Sequence, residues 1–145
     1  RFLNRPLGTG TRVLLDDLLA QAGVEAQAIR GYALNEPSHT AIAQAVAAGA
    51  ADVGMGIEVA ARARGLDFVP LVHERYHLAC LKASLDQPAT LALRTLLQTP
   101  EWLAHMATLP GYSPLRCGEV LAMSTVLPWW QFNGKKRATA SRKKP

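Results

Sequence analysis

The residues near the start of the chain have the types and the spacing of an anion-binding turn. Gly8-Thr9-Gly10-Thr11-Arg12 follows the apolar pair Phe2-Leu3 and precedes apolar residues at helical spacing. The glycines allow positive φ, a threonine hydroxyl can cap the helix, and the first N–H groups of a helix have no acceptor within it. With the helix dipole and a nearby guanidinium, these donors suit an anion. An ordinary capped strand-to-helix turn remains the alternative.

A second helix start carries the same kind of residues. Ser38-His39-Thr40 precedes an alanine-rich stretch, and Ser38 or Thr40 is its natural N-cap. Two such helix starts after successive strands point to one edge of a parallel sheet, where open α/β sheets bind ligands. The His39 ring can donate to an anion or can be an exposed helix-start residue.

These residues predict a binding site and no catalytic one. The spacings of serine, cysteine, histidine and acidic residues suggest no nucleophile, and the glycine-rich turn lacks the lysine of a nucleotide P-loop. We therefore predict no catalytic residue, no cofactor and no enzymatic activity.

The sequence His73-Glu74-Arg75-Tyr76-His77 matches the HExxH motif of zinc metalloproteases. That motif binds zinc only on a helix, and here both flanking stretches have the composition of strands. On a strand the two histidines would lie roughly 13 Å apart at ~3.3 Å per residue, too far to share one metal. We consider a metalloprotease unlikely and predict no metal site.

The charge of the chain is concentrated at its end. The net charge is +5, and six of the 16 basic residues lie within 135–145, which contains no acid. The remaining ten basic residues balance the 11 acidic ones, so the basic end is expected to be a solvated, disordered tail. A basic tail of this kind can contact nucleic acid non-specifically, and specific contact is expected only through a fused or partner domain.

The length and the apolar patterning predict one globular domain. With 145 residues the chain can form a hydrophobic core, and no apolar run approaches the ~20 residues of a membrane span. Two cysteines, Cys80 and Cys117, are too few for a disulfide framework. We expect a cytoplasmic protein with reduced thiols and no membrane partner.

Helical and strand-like stretches alternate along the first two thirds of the chain. Strands are expected at Phe2-Leu3 and at 29–34, 51–57, 66–72 and 76–81, and helices at 11–21, 41–49, 58–64, 90–98 and 100–109. Short connections between alternating elements imply parallel crossovers and an α/β fold.

Several short motifs, in their order and spacing, resemble one family. They are Phe2-Leu3-Asn4-Arg5, Gly8-Thr9-Gly10-Thr11-Arg12, Gly31-Tyr32, Ser38-His39-Thr40, Ala51-Asp52-Val53-Gly54, Leu66-Asp67-Phe68-Val69-Pro70-Leu71 and Leu109-Pro110-Gly111-Tyr112. Together they are similar to the periplasmic-binding-protein-like (type II solute-binding) domain of molybdate-related helix-turn-helix regulators and molybdopterin-biosynthesis proteins.

The resemblance implies an α/β lobe with a small parallel or mixed sheet flanked by helices, followed by C-terminal helices. It also implies a small oxyanion ligand, such as molybdate or tungstate, in a cleft between two lobes. Carried over by position, the residues that would contact the ligand are Asn4, Arg5, Thr9, Gly10, Thr11, Arg12, Ser38 and His39. Thr9 stands where the family usually has serine and keeps the hydroxyl.

The resemblance also sets the expected domain organisation. Residues 1–120 match the second lobe and the C-terminal helices, with the first lobe apparently missing. Residues 121–134 are expected to be a packing arm and 135–145 the basic tail. A lobe without its partner exposes an apolar face, so a homo-oligomer is expected, with Trp129, Trp130 and Phe132 as anchors. A structural or oligomerisation module that has lost its ligand is the alternative function.

Overall fold

The structure, a computed structural model of the chain, describes residues 1–129. This part contains six α-helices and one two-stranded parallel sheet. In chain order the elements are β1 (Phe2–Leu3), α1 (Gly10–Ala22), α2 (His39–Ala47), β2 (Val53–Gly54), α3 (Glu58–Arg62), α4 (Pro88–Leu97), α5 (Pro100–Thr108) and α6 (Met123–Val126). The mixed α/β class expected from the sequence is confirmed at this level.

The first strand is the centre of the described fold. Phe2 pairs with Val53 and Leu3 with Gly54, both in parallel. On the other side of β1, the Phe2 N–H donates to the Arg30 carbonyl at 2.8 Å and the Asn4 N–H to the Leu34 carbonyl at 2.9 Å. Both edges of β1 are therefore occupied, and its last residues lead directly into the turn before α1.

The helix boundaries follow from local chemistry that the sequence already displays. The Thr9 hydroxyl accepts from the Arg12 N–H, and the helix ends at Gly23 with φ 65°. The Ser38 hydroxyl accepts from the Ala41 N–H at the start of α2. Pro100 lies in the first turn of α5, after the capping residue Thr99. These ends depend on one side chain or one backbone angle each, so they are predictable without tertiary contacts.

Most of the expected strands do not form. The stretch 29–34 is a series of turns, because Gly31 has φ 95° and the Leu34 N–H bonds back to the Gly31 carbonyl at 2.9 Å. In the stretch 51–57 only Val53–Gly54 is a strand, and Val53 is 55% exposed, although the apolar composition of this stretch favours a buried strand. The stretches 66–72 and 76–81 are not strands, since no strand among residues 1–129 pairs with them.

The hydrophobic core is small for the length of the chain. Leu3, Ile42 and Ala51 form its buried cluster, with Ala45 and Val46 packed against it. Gly54 allows this packing, because a Cβ there would lie 2.5 Å from the Cγ2 of Ile42. Only seven of the described residues are buried, and two of these are polar, so the core formed by residues 1–129 is small.

The helices after residue 87 form a separate layer. α4 and α5 pack on each other, and Gly118 lies against the Arg94 carbonyl of α4 and the side chain of Gln98, the residue that follows α4. This layer contacts α3 at Gly111. The Gly111 backbone lies so close to Glu58 that an added Cβ would be 2.8 Å from the Glu58 Cβ. No helix within residues 1–129 is long and apolar enough to cross a membrane.

The expected packing arm is described only in part. It includes the four-residue helix α6, and the Trp129 side chain is 74% exposed. The other two predicted anchors, Trp130 and Phe132, and the basic tail 135–145 lie outside the described residues. The domain boundaries at 120 and 134 remain predictions.

Candidate functional site

The end of β1 and the starts of α1 and α2 bring most of the predicted ligand residues into one region. The Arg5 guanidinium donates through Nη1 to the carbonyl of Glu36, just before α2, at 3.1 Å. The Arg12 side chain donates through Nη1 to the Arg5 carbonyl at 3.5 Å. The end of β1 is thereby connected to the starts of α1 and α2. The sequence argument placed a strand before each helix, but the stretch 29–34 ahead of α2 is not a strand.

Asn4 is the most buried of these residues, with a side chain that has no exposed surface. Its Nδ2 donates to the Tyr32 carbonyl at 3.1 Å, and its Oδ1 accepts from the Arg5 N–H at 2.9 Å. Both polar ends of the amide are thus bonded within the chain. Asn4 holds the turn 30–35 against the strand and fixes the backbone from which Arg5 projects.

Arg5 and His39 carry buried polar atoms that are not hydrogen-bonded. The Nε of Arg5 and the Nδ1 of His39 are both inaccessible to solvent and have no partner among residues 1–129, and the same holds for the Arg94 Nε in α4 and the Trp102 Nε1 in α5. Most buried polar groups in proteins have a hydrogen-bond partner, so each such atom requires an explanation. A ligand that accepts from Arg5 and His39 would supply both partners.

The surroundings of His39 control its charge. Burial, and to a smaller extent the positive charge of Arg5, lower the pKa of His39, while the carboxylate of Glu74 opposes this shift. Gly56 lies next to the ring, since a Cβ there would make an ordinary contact with Nδ1 at 3.8 Å. The lowered pKa favours the neutral form of the His39 ring in the ligand-free protein.

The hydroxyl residues have capping roles. Thr9 donates to the Pro6 carbonyl at 2.9 Å and accepts from the Arg12 N–H at 3.4 Å. Ser38 accepts from the Ala41 N–H at 3.0 Å. Of the two caps considered for each helix, the structure selects Thr9 and Ser38, while Gly10 and Thr11 lie in the first turn of α1.

Arg12 has an internal set of partners. Its side chain is 10% exposed, its Nε lies 2.9 Å from Oδ1 of Asp16, and its guanidinium stacks over the Tyr32 ring at 4.3 Å from the centroid. The Tyr32 hydroxyl donates to Asp16, so that Arg12, Asp16 and Tyr32 all contact one another. Hydrogen bonds from Tyr32 and Arg12 hold the pKa of the Asp16 carboxyl below its usual value. This geometry ties α1 to the turn 30–35.

We expect Arg12→Ala to lower the free energy of unfolding by about 1–3 kcal/mol, because the partners Asp16 and Tyr32 lose a largely buried hydrogen-bonding and stacking group. The loss should be nearly the same with and without excess sulfate, as measured by urea unfolding. Arg62→Ala is the matched control, since Arg62 also pairs with an acid four residues away, Glu58, but its side chain is 45% exposed. A loss that appears only with sulfate would instead make Arg12 a ligand contact.

The HExxH letters do not form a zinc site. Residues 73–77 are not helical, so His73 and His77 do not lie one helical turn apart. Among the residues that the structure describes, no group of three or more His, Cys, Asp or Glu side chains could hold a metal ion. Glu74 of this motif instead lies near enough to His39 to affect its pKa.

Sequence reasoning missed Asp16, Tyr32, Gly56 and Glu74 as parts of this region. Asp16 could have been recognised from the sequence, because it stands four residues after Arg12, which is the spacing of helical ion pairs. The other three come from distant parts of the chain, and nothing in their local sequence indicates where they meet.

Comparison with known proteins gives one family and two relatives. The family model described as PBP superfamily domain matches residues 1–98. The Bacillus subtilis (strain 168) protein named "Uncharacterized protein YvgK" is 35% identical over 121 residues, which are 83% of this chain and 39% of that protein. The Clostridium pasteurianum protein named "Uncharacterized protein in ferredoxin 2Fe-2S gene 5'region" is 30% identical over 110 residues, 75% of this chain and 97% of that protein. No solved structure matches the chain.

Proposed function

Because this chain belongs to the PBP superfamily domain family, which has a periplasmic-binding-protein-like fold, we propose that it binds a small oxyanion without catalysing a reaction. The site is the cluster of Arg5 and His39 beside the starts of α1 and α2. The observation that carries the proposal is the pair of buried, unbonded atoms, Arg5 Nε and His39 Nδ1. A tetrahedral oxyanion presents several acceptor oxygens and can accept from both side chains at once.

The charges of the cluster favour a small anion over a neutral ligand. The Arg5 guanidinium supplies a positive charge, and His39 gains one when an anion stabilises its protonated form. The N-termini of α1 and α2 add the positive ends of two helix dipoles. Molybdate and tungstate are the ligands that the family resemblance implies, and a role in molybdate regulation or molybdopterin biosynthesis is the corresponding biological setting.

Isothermal titration with sulfate, phosphate, molybdate and tungstate tests the proposal. We expect Arg5→Gln to weaken binding of the preferred oxyanion roughly tenfold to a hundredfold, because a hydrogen bond to a charged group is worth about 1.5–3 kcal/mol. Arg30→Gln is the control, since Arg30 is an exposed arginine outside the cluster. No binding of any of the four anions to the folded protein would contradict the proposed function.

The affinity should depend on pH through His39. Its pKa is lowered in the free protein, and a bound anion raises it, so binding takes up a proton and strengthens as pH falls. Sulfate is the suitable probe, titrated between about pH 7.5 and about pH 5.5, which spans the usual histidine pKa. His39→Gln should remove this dependence, whereas the exposed His105→Gln should keep it. An equal pH dependence in both variants would exclude His39 from the site.

A structural or oligomerisation module without a ligand is the second candidate function. Two observations favour it: Arg12 is bonded within the chain, and only seven of the described residues are buried. A chain with so small a core gains stability from a partner surface. The titrations separate the two candidates, because the module predicts a stable assembly and no oxyanion binding.

A further inference from the structure

A cavity of about 340 Å³ lies between the start of α2 and helix α3, which pack on each other. Pockets that hold small molecules in proteins begin at about this size, roughly 300 Å³. The residues that line the cavity are Thr40, Ile57, Val59, Ala60, Ala63 and Arg64. None of these side chains belongs to the proposed oxyanion cluster of Arg5 and His39, so that cluster does not account for the cavity.

Small side chains leave this space open. Ala60 and Ala63 stand three positions apart, the spacing that places two side chains on the same side of a helical turn. Each contributes one methyl group where a longer aliphatic side chain would fill the gap beside α2. With Ile57 and Val59 they give the cavity an apolar wall. Ala63 and Arg64 are exposed, so the cavity opens to solvent at this end.

The cavity also has two polar side chains that are not used within residues 1–129. The Thr40 hydroxyl makes no hydrogen bond there, and the cap of α2 is supplied by Ser38. The Arg64 guanidinium has no acidic partner there, whereas Arg62, two positions earlier, pairs with Glu58. Of these two arginines, Arg64 is therefore the one whose charge is available to a ligand.

We propose that the cavity binds a short-chain monocarboxylate. The planar guanidinium of Arg64 can donate two parallel hydrogen bonds to a carboxylate, and the Thr40 hydroxyl can donate a third. The aliphatic chain of the ligand covers the wall formed by Ile57, Val59 and Ala60 and removes it from water. One unpaired cation beside an apolar wall matches one negative charge, so a monocarboxylate fits better than a dicarboxylate.

NMR titration of the labelled protein with hexanoate tests this site. We expect saturable shifts of the backbone amide signals of Ala60 and Ala63. Hexanamide has the same chain without the charge, and acetate has the charge without the chain. Each should bind at least about fivefold more weakly than hexanoate, because each lacks one of the two contacts. Shifts confined to other residues, or hexanamide binding as tightly as hexanoate, would overturn the proposal.

Two variants separate the charge of the site from its space. Arg64→Gln should weaken hexanoate binding roughly fivefold to tenfold, because a charge-assisted contact at an exposed position is lost. Arg62→Gln is the matched control, since it removes the same charge from an arginine that is already paired. Ala60→Leu should abolish hexanoate binding by filling the cavity, whereas Ala20→Leu, at an exposed position of α1, should not change it. Unchanged binding in Arg64→Gln or in Ala60→Leu, or equal losses in the controls, would refute the proposal.

Sulfate titration of the same samples separates this site from the oxyanion cluster. Sulfate binding through Arg5 and His39 should not change in the Ala60→Leu variant. Competition between sulfate and hexanoate for the Ala60 and Ala63 signals would mean that one site binds both, and would contradict a separate carboxylate site. Because the two probes report on different residues, failure of this proposal and failure of the oxyanion proposal are distinguishable.

Discussion

Gly31→Ala should lower the free energy of unfolding by about 2–5 kcal/mol, the largest effect we expect from any small substitution in this chain. Gly31 has φ 95°, which side chains rarely adopt, and an added Cβ would collide with the carbonyl oxygen of Phe2 and lie 3.0 Å from its nitrogen. Neither backbone atom can move freely, because Phe2 pairs with Val53 and donates to the Arg30 carbonyl. Relief of the collision would therefore disturb the central strand.

Urea unfolding followed by circular dichroism measures this effect. Gly23→Ala is the matched control, since Gly23 also has a positive φ of 65° but has nothing within 4 Å of the added Cβ. The free energy of unfolding of the Gly23→Ala variant should fall by only about 1–2 kcal/mol, which is the cost of the left-handed conformation for a residue with a Cβ. Equal losses in the two variants would show that the turn 30–35 does not pack on β1 as described.

Asn4→Ala should lower the free energy of unfolding by about 2–4 kcal/mol, because a buried donor and a buried acceptor each lose their partner. The Arg5 N–H and the Tyr32 carbonyl would both remain unsatisfied beside a cavity. We also expect weaker oxyanion binding, since the backbone that directs Arg5 loses its support. The two effects are measured by urea unfolding and by titration of the folded fraction.

Asn35→Ala is the control for this prediction. Asn35 also donates from Nδ2 to a backbone carbonyl, that of Ala33 at 3.3 Å, but the bond is exposed to solvent. Its loss should change stability by less than about 0.5 kcal/mol. A comparable loss in both variants would mean that the Asn4 amide is not the buried connection between β1 and the turn.

The sequence determined the parts of this fold that depend on one residue and its near neighbours. Thr9 and Ser38 cap α1 and α2, Gly23 ends α1 in the left-handed conformation, and Pro100 lies in the first turn of α5. Each feature is set by a side-chain hydroxyl, a missing Cβ or a fixed φ, all of which act within four residues. The order and spacing of the motifs were likewise enough to indicate the family.

Tertiary structure decided what depends on distant partners. Strand composition predicted strands at 29–34, 66–72 and 76–81, but a strand forms only where a second strand pairs with it, and none among residues 1–129 does so there. The sequence predicted Arg5, Arg12 and His39 as equivalent ligand residues, whereas their neighbours distinguish them. Arg12 meets Tyr32, 20 positions away, and is bonded, while the buried Nε of Arg5 and Nδ1 of His39 have no partner in the described part. Local sequence carries no information on such contacts, because they depend on where the chain returns to itself.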